Sequence, residues 1–340
     1  MVKNRAEILT LDLLKIGYGS GKTRKLLLPP IDASAFNGEL IAVIGRNGIG
    51  KSTLLRTITG LQSSLGGNIN IYGKNIKEYS RLQIARSIGF ISTEAIKVSN
   101  MSVYNLVAMG RFPYTNWFGK IDITNHLMII DSIGKAGMTG LLGRFIMELS
   151  DGERQRAMIA RVLAQDAGLM VMDEPTAFLD ISSKYEILHL LHDLTRKRGK
   201  TVIFSTHDFQ TAINQADKIW LLLDNKLIEG APEDLLLKGL FDHLFDSSLI
   251  RFDSKNGNFI LRKEERGQIF IDGVGNKKNW TEKAVSRAGY SLSGVRMKPM
   301  IKVPSEEEDK WLFYSDDSVR EFSSLYDLVG WLVNENTPSI

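Results

Sequence analysis

Residues Glu39–Thr59 read ELIAVIGRNGIGKSTLLRTIT. An apolar run, Leu40–Ile44, stops at Gly45, and the loop Gly45-Arg46-Asn47-Gly48-Ile49-Gly50 follows. Lys51, Ser52 and Thr53 then open a segment whose apolar residues, Leu54, Leu55 and Ile58, have helical spacing. The order is strand, loop, helix, and the spacing G-x-x-x-x-G-K-S fits a phosphate-binding loop at every fixed position. Glycines let backbone N–H groups turn inward around an anion because no Cβ blocks them. The N-terminus of the following helix points its unpaired N–H groups and positive dipole end at the same place. Lys51 adds a mobile charge for the outer phosphates, and the Ser52 hydroxyl is placed to ligate Mg²⁺. The alternative is a plain glycine-rich turn, which the flanking strand and helix argue against. The chain therefore binds a nucleoside triphosphate.

The chain has 340 residues, 43% hydrophobic and 24% charged, which favours two or three globular domains. The absence of cysteine excludes disulfides, thiol catalysis and cysteine-held metals, and it suits a reducing compartment. The N-terminal residues lack a signal-peptide core, and no apolar run approaches the roughly 20 residues that span a bilayer. The chain is thus expected not to cross a membrane by itself. A net charge of +4 is too mild to argue for nucleic acid, and residues 251–340 are charge-balanced.

Outward from the loop, Ile8–Ile16 alternates like a strand, and Gly17–Gly21 is a turn-rich loop carrying Tyr18. Asn68–Tyr72, Ser87–Ser92, Leu169–Met172, Thr201–Ser205 and Ile219–Leu223 read as strands. Glu78–Arg86, Ser102–Gly110, Thr124–Ala136, Asp151–Ala164, Ser182–Arg198 and Asp208–Ala216 read as helices. Phe112–Gly119 is an aromatic loop. Strands alternating with helices predict a parallel α/β sheet, and the all-strand start predicts an antiparallel piece packed on it. Near residue 250 the pattern changes. Strands are expected at 258–262, 268–272, 295–303 and 310–314, with helices at 280–288 and 323–334. That gives a small α+β domain over 251–340, set against a first domain over 1–250.

Three further stretches carry chemistry. Asp173-Glu174 ends the buried-type strand Leu169–Met172, and ligands of parallel sheets sit at the carboxyl ends of strands. Asp173 is expected to hold the Mg²⁺ shell, and Glu174 to orient and deprotonate an attacking water; the competing reading is a common acidic turn. His207, in Ser205-Thr206-His207-Asp208, would reach the γ-phosphate and steady the water. A lone histidine at a strand end is more often structural, but its place relative to Asp173 and the loop favours function. Leu149-Ser150-Asp151-Gly152-Glu153 precedes a helix and fits a plain N-cap as well as a binding turn. His189 and His192 share a helix face, and Glu306–Asp309 form an acidic run; both read as solvated surface.

The order of phosphate loop, Ser-x-Gly-Glu helix start, apolar strand with Asp-Glu, then His resembles the ATP-binding-cassette (ABC) ATPases over about residues 1–250. The resemblance implies a P-loop NTPase core with antiparallel β and α-helical subdomains, with ATP and Mg²⁺ as ligands. It implies a head-to-tail dimer with two ATPs between the copies. Gly45, Asn47, Gly48, Gly50, Lys51, Ser52 and Thr53 would bind nucleotide, and Ser150 and Gly152 would contact the γ-phosphate held by the partner copy. Tyr18 matches the aromatic that stacks on adenine, and Ala177-Phe178-Leu179-Asp180 matches the loop that crosses the dimer interface. Catalysis is then in-line phosphoryl transfer to water, driven by positioning and charge stabilisation.

Two positions depart from the family pattern. Thr93, followed by Glu94, stands where the family has a Gln that contacts Mg²⁺ and the water; either residue is a substitute metal contact. Asp151 stands where Gly is common, and a carboxylate there is tolerable near a γ-phosphate only if it points away. Val103–Gly119 resembles the helical subdomain of cassettes serving importers of iron–siderophore, haem and cobalamin. The resemblance therefore implies the ATPase subunit of a bacterial importer, on the cytoplasmic face of the membrane, bound to permease subunits and acting indirectly with a substrate-binding protein. No nucleic-acid partner is expected. The alternatives are a soluble cassette ATPase switching a protein or nucleic-acid partner, and a degenerate regulatory nucleotide binder.

Overall fold

The computed structural model describes residues 6–19, 23, 25–93, 100–115, 120–224, 226–244, 249–253, 257–261, 266–305, 308–316 and 318–334. These fall into two compact units. The first holds Met1–Asp246 with Phe252–Phe259, and the second Ser247–Arg251 with Ile260–Ile340.

The first unit begins with strands β1 (Glu7–Lys15), β2 (Gly17–Tyr18), β3 (Lys25–Leu26), β4 (Ile31–Phe36) and β5 (Leu40–Gly45), then helix α1 (Lys51–Ile58). It continues through β6 (Gly66–Ile71), β7 (Lys74–Asn75), α2 (Arg81–Ser87), β8 (Ile88–Ile91), α3 (Val103–Ala108), α4 (Ile123–Lys135) and α5 (Asp151–Ala164). It then runs through β9 (Leu169–Met172), α6 (Ile181–Arg198), β10 (Thr201–Ser205), α7 (Phe209–Gln215), β11 (Lys218–Leu223), β12 (Lys226–Gly230) and α8 (Pro232–Leu237).

The central sheet has the order β12-β11-β5-β10-β9-β8, parallel except for the β11–β12 pair. Its middle strands are apolar at nearly every position because both faces are covered. In β5, Ile41 and Val43 join one core with Leu54, Leu55 and Ile58 of α1 and with residues of β1, β4 and β6. Leu40, Ala42 and Ile44 face the opposite core, with Ile159 and Leu163 of α5 and Ile187 and Leu191 of α6. A period-two alternation thus survives inside a run that is wholly apolar. Each of these leucine, isoleucine and valine side chains, fully buried, is worth ~1.5–3 kcal/mol.

The expected antiparallel piece is the sheet β4-β1-β6-β7. A helical lobe forms where Val103, Leu106, Ile129 and Ile133 pack on the alanine face of α5 at Ala157, Ala160 and Ala164. The helix expected over 102–110 ends at Ala108, and Met109–Tyr114 winds on as a 3₁₀ turn containing Pro113. Proline lacks the N–H that an α-helix needs there. This start of the aromatic stretch is therefore helical, while Asn116–Gly119 lie outside the described residues. Tyr114 is clamped between two guanidiniums, 3.9 Å from Arg111 and 4.8 Å from Arg86. Phe252, of β13 (Ile250–Asp253), stacks on Phe241, and Phe259, of β14 (Asn258–Leu261), meets Phe209 edge-on. These aromatics beyond residue 250 therefore sit in the first unit's core.

The second unit contains β15 (Gly267–Asp272), α9 (Gly275–Arg287), β16 (Tyr290–Leu292), β17 (Met300–Lys302), β18 (Trp311–Tyr314), β19 (Val319–Phe322) and α10 (Leu325–Asn334). Its sheet has the order β16-β15-β17-β18-β19, with β15 parallel to both neighbours. The single strand expected at 295–303 is only Met300–Lys302. Pro299 precedes it and cannot donate to a ladder, so the pairing starts after the proline. β16 and β19 are short strands with no alternation long enough to read from sequence.

Candidate nucleotide site

β5 carries the chain to the carboxyl edge of the sheet and ends at Gly45, where a Cβ would lie 2.8 Å from the Leu222 carbonyl oxygen. Gly48 and Gly50 have φ of 80° and 116°, conformations that suit glycine alone. Gly50 caps α1 without any side-chain hydrogen bond, so the first-turn N–H groups keep their donors for the space beyond the helix. Lys51 lies across the loop, its ammonium donating to the carbonyls of Gly45 at 2.9 Å and Arg46 at 3.1 Å. Burial pulls the Lys51 pKa below its ordinary value, and the charges of Glu174 and Asp173 partly oppose that shift.

A cleft of about 460 Å³ opens above the loop. Asn47, Gly48, Gly50 and Lys51–Thr53 line its floor, Tyr18 one side, and Glu174 and His207 the other. Tyr18 sits on the β2–β3 ribbon, its hydroxyl 2.6 Å from Thr53 Oγ1 and its ring half exposed. Such a ring offers an exposed face for a flat aromatic ligand.

Opposite the loop, Asp173 leaves the end of β9 and is buried. Its N–H donates to the Ile91 carbonyl at 2.8 Å, and its Oδ1 accepts from the Ser205 hydroxyl at 2.6 Å. Glu174 follows with φ of 50°, a strained left-handed turn that re-aims its side chain toward the cleft. Glu174 Oε2 and His207 Nδ1 are 3.2 Å apart. The structure thus brings together Tyr18, the loop, Glu174 and His207 around one cleft, with Asp173 behind them and Gly45 at the base of the loop.

Ser150, Gly152 and Thr93 are not among the residues that line it. Ser150 accepts from the Glu153 N–H at 3.2 Å while Glu153 Oε2 accepts from the Ser150 N–H at 2.8 Å, a complete capping box at the start of α5. That backbone bond, more than any other influence, lowers the Glu153 pKa. Asp151 is ion-paired with Arg154, so its charge is turned along its own helix. Gly152 packs against Ser183 at the start of α6. Thr93 is exposed and lines a separate cleft of about 290 Å³ with Asp151, Arg154, Gln155, Phe178 and others. β8 ends at Ile91, whose carbonyl accepts from the Asp173 N–H, and Thr93 follows two residues later. Glu94 lies outside the described residues.

Sequence reasoning passed over Ser205. Its signal was a hydroxyl closing the apolar run Val202–Phe204 at the carboxyl end of the strand, one residue beyond the Phe204–Met172 pairing and beside Asp173. His192 pairs with Gln215 at 2.9 Å, which accounts for it structurally. No group of three or more His, Asp or Glu able to hold a metal occurs among the described residues. The oxygens expected to hold Mg²⁺ are the Ser52 hydroxyl, which lines the cleft, and the Asp173 carboxylate, buried behind it. Two hard oxygens suit Mg²⁺, which keeps water and phosphate for its remaining positions.

Residues 28–177 match the family model described as ABC transporter, and residues 266–333 match the iron ABC transporter C-terminal domain. An uncharacterized ABC transporter ATP-binding protein of Methanocaldococcus jannaschii is 34% identical over 261 residues, 76% of this chain and 89% of that protein. The ferric enterobactin transport ATP-binding protein FepC of Escherichia coli is 34% identical over 233 residues, 68% of this chain and 84% of that one. The solved structure of cbiO1 from Clostridium perfringens, part of the ABC transporter complex cbiONQ, aligns with a TM-score of 0.61 at 28% identity. That alignment covers 68% of this chain and 92% of cbiO1.

Proposed function

The chain belongs to the ABC transporter ATPase family, and from that premise we propose that it is the ATP-hydrolysing subunit of a membrane importer of iron chelates. The observation that carries the hydrolytic reading is the Glu174–His207 pair, 3.2 Å apart, facing the phosphate loop across the same cleft. The loop N–H groups and Lys51 hold the outer phosphates. Tyr18 stacks on the base. Glu174 takes a proton from the attacking water and His207 orients Glu174 and the γ-phosphate. Ser52 and Asp173 hold Mg²⁺, which supplies charge neutralisation for the phosphates.

Each chain contributes half of two sites. Ser150 and Gly152 lie outside their own chain's cleft, which supports their presentation to ATP bound by a second copy placed head to tail. The importer reading rests on the match of residues 266–333 to the iron ABC transporter C-terminal domain and on relatives such as FepC. Among the described residues no helix is long and apolar enough to cross a membrane. The transport path is therefore assigned to separate permease subunits, with this chain peripheral on their cytoplasmic side. Phe112, 75% exposed on the 3₁₀ turn, fits a permease contact. The test is purification with its membrane partner and ATPase measurement with candidate binding-protein–chelate complexes. Stimulation by an iron-chelate complex is expected; a complex that forms but responds only to unrelated solutes overturns the iron assignment.

A further inference from the structure

The Ser205 hydroxyl is completely buried at the end of β10 and makes two hydrogen bonds in opposite senses. It donates to Asp173 Oδ1 at 2.6 Å and accepts from the Glu174 N–H at 2.9 Å. A hydroxyl has one proton to give and lone pairs to receive, so both bonds are satisfied by a single rotor position. One side chain therefore fastens the carboxylate assigned to the metal shell and the backbone of the residue assigned as base. Asp173 Oδ2 accepts no protein hydrogen bond among the described residues.

We propose that Ser205 is a positioning residue that sets the Asp173 carboxylate for Mg²⁺ and holds the strained Glu174 turn. The inference rests on the metal role assigned to Asp173 above. Three features carry it. The acceptor engaged is a charged one, so the bond is short and directional. It occupies Oδ1 and leaves Oδ2 as the oxygen for the metal. The second bond anchors a non-glycine residue at φ of 50°, a conformation that persists only where the surroundings hold it. The neighbouring strand positions, Val202, Ile203 and Phe204, are apolar and serve the core, so nothing else on β10 reaches these groups with a donor.

The test uses the full chain with fluorescent ATP, titrated with and without Mg²⁺. For Ser205→Ala, metal-free nucleotide affinity is expected to stay within about twofold of the parent. The Mg²⁺ concentration for half-saturation should rise about ten- to a hundredfold, the order expected for losing an outer partner of a ligand. Ser205→Thr, which keeps the hydroxyl on a residue suited to strands, should restore most of the Mg²⁺ response. A thermal unfolding curve of each nucleotide-free variant separates positioning from mere packing, since packing loss lowers the melting temperature without changing the metal response. Asp173→Asn is the control. If it leaves the Mg²⁺ response unchanged, the metal reading of Asp173 fails. If it abolishes the response while folded Ser205→Ala keeps the parent's, the role of Ser205 alone is overturned.

Discussion

Gly152, in the first turn of α5, lies so close to Ser183, in the first turn of α6, that a Cβ on it would sit 2.5 Å from the Ser183 hydroxyl oxygen and 2.8 Å from its Cβ. The helix start that carries Ser150 and the helix that follows Ala177–Asp180 are thus locked together within one chain. The glycine has an internal reason to be there, besides any contact with a partner's nucleotide.

Replacing it separates the two reasons. Gly152→Ala is expected to destabilise the nucleotide-free chain by ~1–3 kcal/mol through overpacking. Gly152→Ala with Ser183→Gly should recover most of that stability, because it removes both clashing atoms. If ATP-driven dimerisation stays lost in the recovered double variant, Gly152 also serves the second copy. Recovery of both properties together would assign it to packing alone. Denaturant melts and sizing with and without ATP supply the two readouts.

Glu174→Gln keeps the size of the side chain and removes its basicity. Turnover should fall ~10²–10⁴-fold, while ATP binding is kept and an ATP-bound dimer accumulates. Because His207 touches Glu174, His207→Ala added to Glu174→Gln should cost little more than Glu174→Gln alone. Single-turnover kinetics of the four proteins check this; additive losses would place His207 outside the unit.

The Lys51 shift predicts a pH dependence. Its folded pKa lies below the ordinary 10.5, so between the folded value and 10.5 the unfolded chain binds more protons. Stability of the nucleotide-free protein therefore rises with pH across that interval. Phosphates favour the ammonium form, so nucleotide affinity should fall over the same interval as the proton leaves. Calorimetric titrations at several pH values test the slope, and Lys51→Met, with no proton to lose, should lack it. An equal slope in the two proteins would remove Lys51 as the source.

Arg111 is buried, donating to Asn125 Oδ1 at 2.7 Å and to the Ala164 carbonyl at 2.8 Å while lying over Tyr114. Arg111→Ala strands both acceptors and should cost ~2–4 kcal/mol, measured by denaturant unfolding. Phe112, next in sequence, is 75% exposed. Phe112→Ser should change stability by no more than ~0.5 kcal/mol yet weaken association with the permease. An unchanged affinity in a pull-down with the membrane subunits would remove Phe112 from that contact.

The stretch Glu39–Thr59 by itself determined a strand, a phosphate-binding loop and a helix, because a glycine pattern and an apolar run are local statements about backbone and solvent. Asp173, Glu174 and His207 were legible for the same reason: each ends an apolar strand, and parallel strands end on one edge. Tertiary structure alone decided the rest. It put Glu174 against His207, turned Asp151 onto Arg154, and sent Thr93 into a different cleft from Lys51. It also revealed that Ser205 fastens Asp173 and that Ser183 requires glycine at 152. The Glu174–His207, Asp173–Ser205 and Gly152–Ser183 contacts join residues about 30 apart in the chain, across elements whose distance no spacing encodes. The short strands β16 and β19 were hidden likewise, since three or four residues carry too few alternations to read, and their partners across the sheet create them.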